Sequence, residues 1–266
     1  ICACLVGSEM CIRDRAYTYG ESKSINSATS SVAYSNWRYN ETTGNSNAPE
    51  LSVSDYSIPH RIVASLSYGK EYAKRFKSTV SLVYTGQSGA PYNVTYYGDL
   101  NGDGSNGNDL VFIPTDEQID AMQFKATAKL DADQQKADLK AFLGSAKYLK
   151  DHRGEYYERN SDRMSFEHHF DFRFLQDFKF RVAKETHTLQ FSVDIMNVGN
   201  LLNRKWGLES YMSNNSYSPI TYSKGGEFQY TQGDKYDPFK EISNISSRWR
   251  CQLGCLLYTS PSPRDM

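Results

Sequence analysis

The stretch Asp99-Leu100-Asn101-Gly102-Asp103-Gly104-Ser105 sets side-chain oxygens at every second position and places a glycine sixth. Oxygen ligands in that spacing around a tight turn are what wraps a loop on Ca²⁺. The set expected from this pattern is Asp99, Asn101, Asp103, Ser105 and Asp109. It departs from the full calcium loop at its end, where Leu110 holds the place of the bidentate acid and Asp109 comes one residue early. The same residues also build ordinary turn-rich surface loops, because Asp, Asn and Gly tolerate left-handed backbone.

Other chemistry is sparse. His168 and His169 follow Glu167, but neighbours on a strand project to opposite faces and cannot chelate one ion together. His60, His152 and His187 stand singly, and paired carboxylates such as Asp116 and Glu117 fall at loop or helix ends. No serine lies in a nucleophile elbow. With no catalytic constellation in view, the expectation is a protein that is not an enzyme. The long polar segments do carry aromatic rings, at Tyr34, Trp37, Tyr39, Tyr92, Tyr96, Tyr97, Trp206, Tyr211 and Tyr217. These offer flat stacking surfaces for sugars or other ligands, and equally suit the aromatic girdles of membrane barrels.

Composition narrows the elements that must position such residues. Thirty Lys and Arg stand against 31 Asp and Glu, so bulk charge gives no reason to expect a nucleic-acid partner. No run approaches the ~18 consecutive apolar residues of a membrane helix, and the mean hydropathy of -0.64 agrees. Twenty Tyr and 13 Phe in a chain otherwise rich in Ser, Asn, Asp and Gly favour strands and turns over helical bundles.

All five cysteines crowd the ends, at Cys2, Cys4, Cys11, Cys251 and Cys255. A disulfide framework is the obvious reading, but the genetic code suggests another. Glu9 to Asp14 can be encoded by DNA whose complementary strand, shifted one base, reads Cys-Leu-Leu-Tyr-Thr-Ser, the peptide at Cys255 to Ser260. One short element translated from opposite strands accounts for both ends, as a sequencing adapter would. Residues 1–15 and 255–266 are therefore expected to be foreign to the protein, leaving 16–254 as the body and Cys251 as its sole thiol.

Within the body, Phe166 to Val182 alternates apolar and polar residues over its whole length, and Thr188 to Met196 does so again after a turn at Ala183 to Thr186. Period two predicts strands, and the short separation predicts a hairpin. A second hairpin is predicted from Ile62–Tyr68 and Phe76–Tyr84 with its turn at Gly69 to Arg75. Tyr17 and Tyr19 look like the end of an earlier strand, and Ser247 to Leu253 like a last one, making about six.

The connections alternate long (about 25–56), short (69–75), long (about 88–162), short (183–186) and long (about 198–245). Outer-membrane barrels segregate loop length in this way, with long extracellular loops, short periplasmic turns and apolar side chains facing lipid. The predicted fold is all-β: a fragment, of about six strands, of a large antiparallel transmembrane β-barrel in the outer membrane. Phe170, Phe172, Phe174, Leu189, Phe191, Val193 and Ile195 would face lipid, while Asp171, Arg173, Gln190 and Asp194 would face a watery lumen. A soluble β-sandwich is the competing architecture. One long loop is expected to be partly helical, opening at Leu130 to Asp133, burying Leu139, Phe142 and Leu143, and ending at Gly144, with a second short helix over Ser145 to His152.

Four stretches resemble the C-terminal barrel of TonB-dependent outer-membrane receptors, of the Bacteroidota type with a carboxypeptidase-regulatory-like N-terminal domain. They lie at 60–72, 98–114, 148–161 and 187–207, and Ser247 to Gly254 resembles the last strand. The resemblance implies a barrel of about 22 strands closed by a plug domain. It implies import of a bulky nutrient (an oligosaccharide, a peptide or a chelate) driven by the TonB complex through an N-terminal region, with a surface lipoprotein as a further partner. The plug, the TonB-contacting box and the export signal lie outside this sequence. The alternative reading is a secreted, calcium-stabilised, carbohydrate-binding β-sandwich.

Overall fold

The computed structural model describes residues 4–6, 9–73, 75–128, 130–182, 185–210, 212, 215–222, 226–230, 241–242, 245 and 247–259. In chain order the first strands are β1 (Cys4–Val6), β2 (Glu9–Tyr19), β3 (Lys23–Ser24), β4 (Ser52–Val53), β5 (His60–Tyr72), β6 (Phe76–Gln87) and β7 (Pro91–Tyr97). They continue as β8 (Asp162–Arg163), β9 (Glu167–Val182), β10 (Glu185–Met196), β11 (Glu209–Ser210), β12 (Ser216–Tyr222), β13 (Phe228–Tyr230), β14 (Glu241–Ile242) and β15 (Arg250–Thr259). The helices are α1 (Ala33–Arg38), α2 (Asp116–Ala121), α3 (Ala132–Ser145), α4 (Lys147–Asp151) and α5 (Val198–Leu202). None is long and apolar enough to cross a membrane.

The long alternating segments pair into one antiparallel sheet of order β1-β2-β5-β6-β9-β10-β15. Both predicted hairpins are present; β5, β6 and β10 are longer than the apolar rows indicated, and β9 begins one residue later, at Glu167. The first turn is shorter than the expected 69–75, because the ladder runs on through Tyr72↔Phe76. The sheet is open, with β1 and β15 as its edges, so the strands do not close into a barrel within the described residues.

Register decides the faces. Leu66, Leu82, Phe172 and Ile195 lie in one cross-strand row, and Tyr68, Val80, Phe174, Val193 and Leu253 in the next. The opposite face is polar and laced together: Arg173 pairs with Asp194, Lys179 Nζ reaches Glu71 at 2.8 Å, Gln190 donates to Asp177 at 2.7 Å, and Ser67 meets Ser81 at 2.8 Å. His168 and His169 fall on opposite faces, as period two requires.

The segments expected to be foreign are paired in the sheet in part: residues 4–6 are β1, 9–15 lie in β2 and 255–259 in β15. The last strand accordingly begins later than Ser247 and runs past Leu253. In β2 the phase is inverted: Arg13 and Arg15 share the apolar face opposite Leu66 and Ala64, whereas Tyr17, opposite Ile62, restores the apolar row.

The long connections all leave one end of the sheet and fold together. β7 and β8 from the second connection join β12 and β13 from the third in a four-stranded sheet of order β13-β12-β7-β8, with β7 and β12 parallel. This sheet was not legible in the sequence. Its core holds Tyr92, Val94, Ile113, Ile119, Leu139, Leu143, Leu149, Tyr157 and Ile220, all at most 2% exposed. Among the described residues, none of the seven-stranded sheet belongs to that core.

Helix α3 buries Gln135, Leu139, Phe142 and Leu143 on one face and is capped by Asp131, which accepts from Gln134 N at 2.7 Å. It runs through Gly144 to Ser145, one residue beyond the expected end, and α4 follows as anticipated. Asp116 and Glu117 occupy the first turn of α2, whose Thr115 and Gln118 form a capping box. Gly89 sits where the chain leaves β6 and crosses its own return: a Cβ there would lie 2.5 Å from the carbonyl oxygens of Met164 and Ser165.

Candidate functional site

The loop from Gly98 to Asp109 is built on its own side chains. Asp99 accepts from the amides of Gly102 (2.7 Å), Asp103 (3.1 Å) and Gly104 (3.0 Å). Glycines at 102, 104 and 107 take φ of 77°, 87° and 80°, a region open to them because they lack a Cβ. Asn101 accepts from Asp103 N, and Asp103 accepts from Ser46 Oγ, Ser105 N, Asn101 and Asn108. Ser105 Oγ donates to Arg38 O at 2.8 Å. Asp109 accepts from Leu100 N at 2.7 Å, and its second oxygen has no hydrogen-bond partner among the described residues.

The five expected calcium ligands thus share one loop, but most of their oxygens face protein donors. Among the described residues no three His, Cys, Asp or Glu side chains group closely enough to hold a metal ion. Electrostatics differ along the loop. Burial works to raise the Asp103 carboxyl, but its hydrogen bonds outweigh it and hold the group below the usual carboxylate range. At Asp109 burial wins over the bonds from Leu100 and Asn101, and the charges of Asp103 and Asp99 push the carboxyl further up.

This loop is welded to the first long connection. Thr42 N donates to Asn108 O at 2.9 Å and Leu110 N returns to Thr42 O at 3.0 Å. Arg159, buried at 3% exposure, reaches back to Asn40 and Ser24, and Asn160 donates to Val53 O and Asp55.

Between the three connections lies a cavity of about 690 Å³. The first supplies Asn26 to Thr29, Ser35, Asn36, Arg38 to Glu41 and Asp55, the second Tyr97 and Asn106 to Asn108, the third Asn215, Ser216 and Ser218. The first wall is shaped by amides: Asn36 brackets Ser30 through bonds of 2.8 and 2.7 Å, and Asn26 donates to Asn36 O at 2.6 Å. Glu41 accepts from Ser216 at 2.8 Å, and burial pushes its carboxyl up against that bond. No sequence signal pointed here beyond a general excess of Asn and Ser, since its residues come from three distant segments.

The loop aromatics divide. Tyr92, Tyr96 and Tyr217 are core residues, not stacking surfaces, because β7 and β12 turn them inward. Tyr34, Tyr39, Tyr97 and Trp206 are exposed, Trp37 is half-buried with its indole donating to Asn47, and Tyr211 lies outside the described residues. The histidines serve local contacts: His60 with Tyr17, His168 with Tyr84, and His152 stacked on Tyr148 at 4.1 Å between ring centroids.

The chain matches no protein family profile, no curated protein and no solved structure.

Proposed function

We propose that this chain is part of the barrel wall and extracellular cap of a TonB-dependent outer-membrane transporter that imports a bulky nutrient. On this reading the plug and the TonB contact belong to segments outside this sequence, and a surface lipoprotein is a further partner. One observation carries the proposal: over β5, β6, β9 and β10 the sheet presents apolar rows that contribute nothing to the buried core among the described residues, with Leu66, Tyr68, Val80, Leu82, Phe170 and Phe191 left between 38% and 45% exposed.

In water such a face is a liability, since a sheet normally buries it against a second layer. A secreted sandwich would supply that layer. Lipid supplies it equally well once the strands close into a barrel with further ones, which also removes the open edges. Strands of 12 to 16 residues, in β5, β6, β9 and β10, exceed the ~9–11 that a tilted crossing needs. The polar face, with its Arg173–Asp194 and Lys179–Glu71 pairs, suits a wet lumen. Arg13 and Arg15 would lie in hydrocarbon, which fits an origin of that segment outside the barrel.

The test is a pair of substitutions on one strand. Leu82→Arg places a charge on the apolar face and Thr79→Arg places it on the polar face. If the face meets lipid, Leu82→Arg lowers insertion into phospholipid vesicles by about 2–4 kcal/mol and Thr79→Arg leaves it nearly unchanged. Equal, small effects of both, together with solubility in the absence of amphiphile, would sink the proposal.

A further inference from the structure

We propose that the notch between α5 and the start of β15 binds the phosphate of an anionic lipid headgroup. The proposal names a lipid partner for the membrane wall, and it rests on the transporter reading for the apolar face being the one that meets lipid.

The notch, about 840 Å³, is lined by Asn200, Leu201, Arg204, Leu208, Arg248 and Trp249. Two buried asparagines build it. Asn197, in left-handed backbone at φ 52°, follows the end of β10, and its side-chain amide donates to Gly207 O at 2.8 Å and Ser247 O at 3.1 Å. Asn200 donates to Arg204 O at 3.1 Å and Trp206 O at 3.0 Å, and accepts from Trp249 N at 3.3 Å. These bonds tie the turn after α5 to the segment before β15. One arginine from each is thereby held at a single notch before any ligand arrives, which lowers the ordering cost of binding.

The sheet sets the height of this notch. A Cβ on Gly199 would meet Phe170 Cδ2 and Trp206 Cβ, each at 3.8 Å, so α5 lies against the loop-side end of the apolar face. Cys251 shares a cross-strand row with Ile195 and Phe172, which puts Trp249, two residues earlier, about level with Phe170. Phe170 and Phe180 lie ten residues apart on that face; at about 3.3 Å per residue and a tilt of about 40° they stand about 25 Å apart along the membrane normal, the height of a barrel's apolar band. The notch therefore lies where hydrocarbon gives way to headgroups. Its chemistry fits that depth: Leu201, Leu202, Trp206 and Trp249 are exposed beside Arg204, Lys205 and Arg248. Tryptophan favours this interface, and guanidinium forks match phosphate oxygens in pairs. No carboxylate among the described residues lines the notch. A zwitterionic headgroup would set its own ammonium against these cations, so the occupant is anionic.

The experiment mixes the full chain in non-ionic detergent with phosphatidic acid or phosphatidylcholine and counts retained lipid by native mass spectrometry. Phosphatidic acid is expected to be retained in preference to phosphatidylcholine, with Arg204→Ala and Arg248→Ala each weakening it about tenfold. Arg204→Lys should weaken it less, and Arg181→Ala, at an exposed arginine near the turn end of β9, should leave it unchanged. Equal retention of the two lipids, or a preference that survives the Arg204→Ala, Arg248→Ala double variant, overturns the inference. Displacement of the lipid by millimolar inorganic phosphate would assign the notch to free phosphate and overturn the lipid as its occupant. Equal retention while Leu82→Arg and Thr79→Arg still differ in vesicles defeats the headgroup site alone, whereas selective retention with no difference between those two variants defeats the transporter reading alone.

Discussion

Glu41 is a carboxylate whose protonated form is favoured by burial. Burial raises its pKa above the ordinary 4.5 despite the bond from Ser216. A group of this kind binds more protons folded than unfolded, so stability falls as pH climbs from that ordinary value through the raised one. Glu41→Gln keeps an acceptor for Ser216 and removes the titration. Urea unfolding from pH 4 to 8 should therefore show a flatter profile and a more stable protein at neutral pH; a variant that loses stability at pH 7 would contradict this. The calcium pattern was legible at the same scale, whereas the hydrogen bonds made by its side chains were not. Spacing placed Asp99, Asn101, Asp103, Ser105 and Asp109 on one turn, and only the folded loop brings three backbone amides to Asp99. Asp99→Ala is expected to hasten proteolysis near Gly104, and chelation alone to leave it unchanged. Protection by millimolar calcium would instead make the unpartnered oxygens of Asn108 and Asp109 cation ligands.

At the scale of elements, period was a reliable guide because it follows from backbone geometry. The hairpins β5–β6 and β9–β10 and the buried face of α3 came from spacing alone. Short strands such as β8, β11 and β13 escaped, since two or three residues cannot display a period. Strand ends shifted for a related reason: hydrogen-bond ladders continue through polar residues such as Lys70 and Glu71 that interrupt an apolar row. Helix α3 makes a direct test. Leu139 is fully buried in the cap core, and Leu139→Ala should cost about 2–5 kcal/mol of cap stability. Pulse proteolysis would register that loss as faster cleavage within the cap. Vesicle insertion of the sheet should stay unchanged, because the sheet shares none of that core; parallel loss of both would show one cooperative unit.

On the scale of the whole molecule, two bodies of opposite character share one chain. The sheet buries little and presents an apolar face, whereas the cap owns the packed core and the polar cavity. By itself the sequence determined which residues alternate, which face is apolar, and that long connections gather at one end, because these depend on neighbours along the chain. What only the tertiary structure decided is how those connections combine. The parallel pairing of β7 with β12, the inward turn of Tyr92, Tyr96 and Tyr217, and the cavity joining Asn26, Tyr97 and Ser216 each bring together residues far apart in sequence. No local period encodes such meetings. They follow from burying apolar side chains of separate loops in a common core, and that choice is made only when all three loops are present at once.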